Sequence, residues 1–484
     1  MSDLIKHILS IKHVPILCIG DVMLDRFVYG DVERISPEAP IPILKISREV
    51  TMLGGAGNVV RNLVALGVTP YFLSLIGDDS EGREVMRLIN LHDEINSKLI
   101  IECGHKTIVK TRFSAGSQQL LRVDLETQAV LTKHSHKSLL NNALKLIPKV
   151  NAIVLSDYDK GMLDKEIIRQ LIKEARTIDK PVIVDPKGND YSIYSGAYLI
   201  TPNRKELYEA TGLSVNSDTE IVKAARLIMN EYSISNILVT RSYDGMTLIT
   251  ESDDIYHLPT NAHEVFDVSG AGDTVVSVMT VSIASGITLP IAIKLANVAA
   301  GIVVGKIGTA VAYTSDIITS LYNSEVTAIK MKVVDRIMAI DQVSRWKCAG
   351  QKVGFTNGCF DLLHPGHFSL LHQSRAQCDH LVVGLNSDRS VKQLKGENRP
   401  IQSEMIRANV VASIPFVDLV IIFDENTPYN LIVDLHPDIL IKGGDYKKDQ
   451  IIGADLVQKW GGKIILAELM AGYSTTTIIS SMKQ

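Results

Sequence analysis

The sequence predicts a chain of two α/β domains, each built on a mainly parallel sheet covered by helices. Three observations lead there. Short β-branched apolar runs recur with helical segments between them. Hydrophobic residues make up 46% and aromatics only 5%, so burial rests on aliphatic side chains, as in globular α/β proteins. The length of 484 residues, at roughly 150 per average domain, allows three domains, or two if one is a large α/β unit.

Along the chain, Ile16 to Ile19 is the first such run and ends at Gly20-Asp21. Ala152 to Leu155 ends at Ser156-Asp157, Val182 to Val184 at Asp185, and Ile237 to Val239 at Thr240-Arg241. Apolar runs bounded by polar residues indicate strands buried on both faces of a parallel sheet. Ligands of such sheets bind at the carboxyl ends of the strands, the edge to which these runs deliver Asp, Ser, Thr and Arg. Around residues 320–350 the pattern is amphipathic with a helical period and reads as a connecting helix. Beyond it, strands are expected at Lys352 to Phe355, His380 to Leu385, Leu419 to Phe423 and Ile439 to Ile441, with a helix from His367. The expected division is a first domain over 1–322, a helical connector over 323–349 and a smaller domain over 350–484.

The formal net charge of −4, from 50 Lys+Arg and 54 Asp+Glu, excludes a generally basic nucleic-acid coat or a polybasic membrane binder. Five scattered cysteines without a C-x-x-C pair argue against a disulfide framework and a structural zinc site, and fit a reducing cytoplasm. The N-terminus shows no signal-peptide pattern. Thr274 to Ile293 is 20 residues without a charge, long enough to span a bilayer, yet Gly286 and Pro290 break it, so buried helix is the expectation.

Two motif sets carry chemistry. In DVSGAGDT, Asp267 to Thr274, the small residues Gly270, Ala271 and Gly272 precede a helix, where backbone N–H groups and the helix dipole converge on an anion. Asp273 at the mouth of that cradle either caps the helix or accepts the proton of a hydroxyl attacking a phosphoryl group. The GGAGN run, Gly54 to Asn58, is no dinucleotide fingerprint, since Val60 stands where a third glycine is required, and there is no Walker A loop. In GFTNGCFDLLHPGH, Gly354 to His367, His364 and His367 face one way at a helix start and can donate hydrogen bonds to a phosphate gaining charge. Zinc is the competing reading of this pair, without a third ligand in a recognisable pattern. Four consecutive hydroxyls at Ser474 to Thr477 can bind β- and γ-phosphates or cap a helix.

Over residues 10–320 the chain resembles the ribokinase-like (PfkB) carbohydrate kinases, through Gly20-Asp21, GGAGN, Gly77-Asp78, SDYDKG at Ser156 to Gly161, VDPKG at Val184 to Gly188, TPNRKE at Thr201 to Glu206 and DVSGAGDT. The resemblance implies a three-layer domain with a β lid. It implies Asp273 as catalytic base and Gly270, Ala271 and Gly272 as anion hole. Asn203, Arg204, Lys205 and Glu206 would form the nucleotide element, with Mg²⁺ near Asn203 and Glu206, largely through water and phosphate. Asp21, Gly55 and Asn58 would hold sugar hydroxyls. Lys187 is expected as a phosphate contact of the sugar, and Lys110, Arg112 and Arg122, between lid strands, as candidates for a distal phosphate.

Residues 350–480 resemble the cytidylyltransferase-like nucleotidyltransferases, which implies a smaller Rossmann-like domain. His364 and His367 would stabilise the transition state at the α-phosphate, Thr356 and Phe360 would line the nucleotide pocket, and Ser474, Thr475 and Thr476 would bind triphosphate. Lys395 and Arg399 of KGENRP are expected as phosphate contacts, and KGGDY, Lys442 to Tyr446, as part of the site. The fusion resembles the bifunctional enzymes of ADP-heptose synthesis for lipopolysaccharide, a kinase for heptose 7-phosphate joined to an adenylyltransferase for heptose 1-phosphate. That resemblance implies ATP as substrate of both domains, Mg²⁺, a separate heptose bisphosphate phosphatase between the steps and a homodimer, with neither nucleic acid nor membrane as partner. The alternatives are a kinase for another sugar phosphate fused to a CTP-using enzyme, and an inactive sugar-phosphate sensor.

Overall fold

The computed structural model describes the chain except residues 1, 12–13, 117, 262–264, 266, 307, 445–449 and 469–484, and the side chains of 2–3 and 325–328. It divides into two compact units, Met1–Leu321 and Tyr322–Gln484.

Strands of the first unit are β1 (Ile16–Gly20), β2 (Val22–Ile35), β3 (Pro42–Gly55), β4 (Pro70–Gly77), β5 (Asn96–Glu102), β6 (Ile108–Ala115), β7 (Gln118–Leu125), β8 (Ala152–Ser156), β9 (Val182–Asp185), β10 (Leu199–Ile200), β11 (Asn236–Thr240), β12 (Met246–Ile249) and β13 (Ile255–Leu258). Nine of them form one sheet in the order β13-β12-β11-β10-β9-β8-β1-β4-β5. It is parallel from β11 to β5, with β12 and β13 added antiparallel. Successive side chains of a strand point to opposite faces. Ile16 and Cys18 of β1 therefore join one core with the helices Ala56–Ala65, Ala271–Ala284 and Leu289–Val304. Leu17 and Ile19 join another with the helices Lys165–Thr177 and Asp218–Tyr232. This is the expected three-layer arrangement.

The charge-free run is two helices, parted at Ser285 to Thr288, where Gly286 takes φ +76° and Pro290 opens the second. Thr274 to Ser282 are all buried, the property of a helix that is apolar on every side. No described helix is long and apolar enough to cross a membrane.

A second, four-stranded sheet of order β3-β2-β6-β7 forms the lid. The inner half of β2 is buried and its last five residues are exposed, so the ribbon leaves the body and runs into solvent.

In the second unit β14 (Val333–Val334), β15 (Val353–Gly358), β16 (His380–Asn386), β17 (Leu419–Phe423), β18 (Ile439–Gly443) and β19 (Lys463–Ala467) form a parallel sheet of order β14-β17-β16-β15-β18-β19. Two features differ from expectation. The segment read as one connecting helix is a helix Thr314–Met331, the edge strand β14 and a second helix Arg336–Cys348, whose Ala339 and Val343 lie in the core with Val353 and Phe355. The β-branched pair Val333-Val334 favours strand, and Asp335 then caps the next helix by accepting from Met338 N at 2.8 Å. Strand β19 was not expected, because Lys-Ile-Ile-Leu-Ala is too short to be told from helix by period.

Each sheet changes direction of growth at its first buried strand, β1 between β4 and β8 and β15 between β16 and β18. Such a switch point opens a crevice at the carboxyl ends. At Gly20 a Cβ would stand 2.1 Å from Ser156 O, closer than any real contact. Gly20→Ala is expected to destabilise the N-terminal unit by about 1–3 kcal/mol, through a forced shift of β1 against β8; thermal unfolding followed by circular dichroism checks this.

Candidate active sites

In the first unit, β1 delivers Asp21, which is 4% exposed. Its carboxylate accepts from Tyr158 N at 3.1 Å and Lys160 N at 3.4 Å, both in the turn after β8. Burial, reinforced by neighbouring Asp157, raises its carboxyl to about 7. Gly55 takes φ +55° and a Cβ there would stand 2.5 Å from Asp21 O, so only glycine allows the helix that carries Asn58 to start so close to Asp21.

Asn58 does not cap that helix; its Nδ2 donates to Asp273 Oδ2 at 2.7 Å. Tyr158 Oη donates to the other oxygen at 2.8 Å. The helix bearing Asp273 is capped by Gly270 without any side-chain bond, which removes the capping reading of Asp273. Gly270 has φ +82°, and a Cβ there would meet Asn58 Nδ2 at 2.7 Å. Gly272 has open space where its Cβ would be, leaving the helix start accessible. Asp273 is buried, and burial raises its pKa while the Asn58 and Tyr158 hydrogen bonds lower it. Gly270, Ala271, Gly272, Asp273, Asn58, Gly55 and Asp21 are therefore brought together.

Asn203 and Glu206 form a capping box, each side chain accepting from the other's backbone N–H at 3.0 Å. Lys187 Nζ donates to Glu206 Oε1 at 2.8 Å. Lys187, expected on the sugar side, thus stands at the start of the helix Arg204–Thr211. Arg204 turns to Asp244 and Lys205, 82% exposed, to Glu209, so neither joins the cluster. Among the lid cations, half-buried Arg112 pairs with buried Asp25 at 2.7 Å, Arg122 pairs with Asp124, and Lys110 shares Glu126 with Lys160. Each has an acidic partner within the chain.

The described residues contain no group of three acidic, His or Cys side chains able to cage a metal ion. Glu206 Oε1 and Oε2 already accept from Lys187 and Asn203. That donor set fits Mg²⁺ held mostly by waters and substrate phosphates, the usual manner of this cation.

Sequence reasoning missed Tyr158 and Asp185. Asp185 ends β9 and is pushed well above the usual carboxylate range by burial and then by the charges of Asp273 and Glu206. Both lie within motifs SDYDKG and VDPKG, and the signal was their place immediately after a strand.

In the second unit, β15 runs into Phe360, which takes φ +46° and packs beneath His367 with ring centroids 5.1 Å apart. His364 precedes the helix Pro365–Arg375 without capping it, which leaves its ring free to stack on His367 at 3.8 Å. Among the described residues Thr356 Oγ1 and both Nδ1 atoms of the pair lack a hydrogen-bond partner although buried. Unsatisfied buried polar atoms are what a polar ligand completes. Burial lowers the pKa of both rings, that of His367 to about 4, with His364 a lesser cause.

Lys442 of β18 reaches across the switch point to Asn357 Oδ1 at 2.6 Å. Arg399 pairs with buried Asp361, which also accepts from the backbone of Ile401 and Gln402, so it secures a loop, whereas Lys395 is exposed. The overlooked residue is Arg407, 0% exposed, which donates to Cys359 O at 2.6 Å, Gln402 O and Asp388 and so fixes the same loop. Ser474, Thr475 and Thr476, with Asp445 and Tyr446, lie outside the described residues.

Comparison with known proteins agrees with this geometry. Residues 15–316 match the pfkB family of carbohydrate kinases and residues 355–481 the cytidylyltransferase-like family. Phosphofructokinase-2 from Escherichia coli, solved with substrates and products, superposes with a TM-score of 0.55 at 21% identity, covering 65% of this chain and 100% of its own. Ribokinase from Arabidopsis thaliana, complexed with ribose and ATP, superposes at 0.51 and 18% identity, over 64% of this chain and 99% of its own. Both establish the fold of the first unit. The protein is a bifunctional enzyme, a carbohydrate kinase joined to a nucleotidyltransferase. The bifunctional protein HldE of Paramagnetospirillum magneticum is 56% identical over 100% of this chain and 99% of its own, and that of Rhodospirillum rubrum 52% over 98% and 95%. The chain belongs to this HldE family.

The depressed histidines predict a pH dependence. His367 is neutral in the folded protein down to about 4, whereas an exposed imidazole takes up its proton near 6.5. Between those values the unfolded chain binds more protons, so stability of the second unit is expected to fall as pH drops from about 6.5 to about 4. Thermal unfolding across this range, with the decline reduced in His367→Asn, checks it.

Proposed function

We propose that the first unit phosphorylates D-glycero-β-D-manno-heptose 7-phosphate at O1 and that the second transfers AMP from ATP to the heptose 1-phosphate. The observation that carries this is the Asp273 carboxylate held at the open start of a buried helix, in one chain with a stacked imidazole pair at a second switch point.

In the kinase, Asp21, Gly55 and Asn58 place the sugar, and Asp273 accepts the proton of the anomeric hydroxyl. The O1–Pγ bond forms as the bond from Pγ to the β-bridging oxygen breaks, and ADP departs. The N–H groups of Gly270, Ala271 and Gly272 face the phosphoryl oxygens as charge moves through them. Mg²⁺, when bound, neutralises triphosphate charge; Glu206 and Asn203 would hold its waters, and Lys187 beside them serves the nucleotide phosphates.

In the second unit a phosphate oxygen of heptose 1-phosphate attacks Pα of ATP, the bond from Pα to the bridging oxygen breaks, and pyrophosphate leaves with ADP-heptose as product. The nucleophile is already ionised, so no base is needed, and the site has to align it and offset charge. His364 and His367, neutral and with unpaired Nδ1 atoms, donate to the α-phosphate. Thr356 and Phe360 line the nucleotide pocket, and Ser474, Thr475 and Thr476 meet the triphosphate, with Lys395 at its edge.

The 7-phosphate is lost between the two steps, which requires a separate phosphatase. The enzyme works in the cytoplasm, which the five free thiols fit, and it supplies lipopolysaccharide synthesis. Leu121, Val123 and Leu125 stand exposed on one face of lid strand β7, an apolar surface suited to a second copy in a homodimer.

Asp273→Asn is expected to lower kinase turnover by about 10²–10⁴ and spare adenylyl transfer, and His367→Ala to do the reverse; loss of both activities from either folded variant would sink the two-site scheme. Mass spectrometry of products from ATP, Mg²⁺ and heptose 7-phosphate should show the 1,7-bisphosphate alone, and ADP-heptose only once a phosphatase is added. Absence of bisphosphate from both reactions would refute the substrate.

A further inference from the structure

We infer that Tyr158 is a positioning residue of the kinase, holding the Asp273 carboxylate in one orientation and tying it to the acid that places the sugar. This rests on Asp273 being the base. Tyr158 touches both acids through different atoms. Its hydroxyl donates to Asp273 Oδ1 at 2.8 Å, and its backbone N–H donates to Asp21 Oδ2 at 3.1 Å. Asn58 occupies the other oxygen of Asp273 at 2.7 Å. With one donor on each oxygen, the carboxylate cannot turn about its Cβ–Cγ bond without breaking both bonds. Each oxygen retains a second lone pair, so proton acceptance stays possible.

The phenol serves as donor only. Burial, and next the negative charge of Asp273, push its own ionisation far above the usual tyrosine value. Lys110 of lid strand β6 lies over its ring, Nζ 5.7 Å from the centroid, so the ring is gripped between lid and base. The groups that act on Asp273 come from several elements: Asn58 and Tyr158 by hydrogen bonds, Asp25 of β2 and Lys110 of β6 by charge. Cys18 of β1 and Asp185 of β9 in turn feel its charge. Of these influences the two hydrogen bonds and Lys110 favour the ionised base, and Asp25 opposes it. Removal of the Tyr158 hydroxyl therefore raises the pH below which the base is protonated.

The test is Tyr158→Phe in the full chain, which keeps the ring and deletes one oxygen. Kinase kinetics are measured across the acid limb of the pH profile, alongside Asp273→Asn, with thermal unfolding of each variant by circular dichroism as a check on folding of the first unit and adenylyl transfer as a check on the second. The expected result is a fall in kcat of about 10- to 100-fold, the range for a lost hydrogen bond to a charged group. The sugar-phosphate KM should stay within about threefold of the parent, the acid limb should move to higher pH, and adenylyl transfer should be intact. Parent-like kcat and acid limb in Tyr158→Phe, with Asp273→Asn inert, would overturn the inference and leave the base standing. A raised KM with kcat and acid limb unchanged would overturn it too, making Tyr158 a substrate contact. Turnover retained by Asp273→Asn would remove the base assignment and the inference together.

Discussion

Asp273 is a carboxylate taken out of water, and much of the first unit is arranged around the cost of that burial. Burial disfavours its charge, while Asn58, Tyr158 and the start of the helix Ala271–Ala284 favour it. Those donors come from three distant stretches of chain, so the carboxylate is held on both oxygens only when the helix layer, the turn after β8 and the GGAGN turn are docked together. The helix Ala271–Ala284 is buried from Asp273 to Ser282, so the arrangement is closed off from water along most of that helix.

The second unit solves a related problem with different groups. Two imidazoles that burial keeps neutral stack on each other there, above a residue in a left-handed backbone conformation. Buried Arg407 and the Arg399–Asp361 pair hold the loop beneath them. On the proposed reading both sites meet phosphate charge with oriented dipoles and few full charges, which fits a chain of net charge −4.

Motifs are most legible where a short contiguous segment opens a helix, because residue type and backbone conformation are linked locally there. DVSGAGDT and the H-x-x-H helix start are of this kind. Positions whose role depends on side-chain reach were read less well. Lys187 was expected beside the sugar and lies on Glu206, Arg204 and Lys205 turn outward, and Arg399 secures a loop. A long flexible cation goes to the nearest desolvated carboxylate, which sequence spacing does not reveal. The connector misled for a similar reason, since a two-residue strand is defined only by its partner β17.

The sequence by itself determined the two α/β units, the strand ends that bear chemistry, the glycines at Gly55 and Gly270, and Asp273 with its choice between cap and base. These follow from periodicity and from backbone conformations that only certain residues adopt. Tertiary structure alone removed the cap from that choice, by setting Asn58 and Tyr158, which lie 215 and 115 positions away, on the two oxygens of Asp273. Hydrogen bonds of that sequence separation exist only after the layers pack, so no local pattern encodes them.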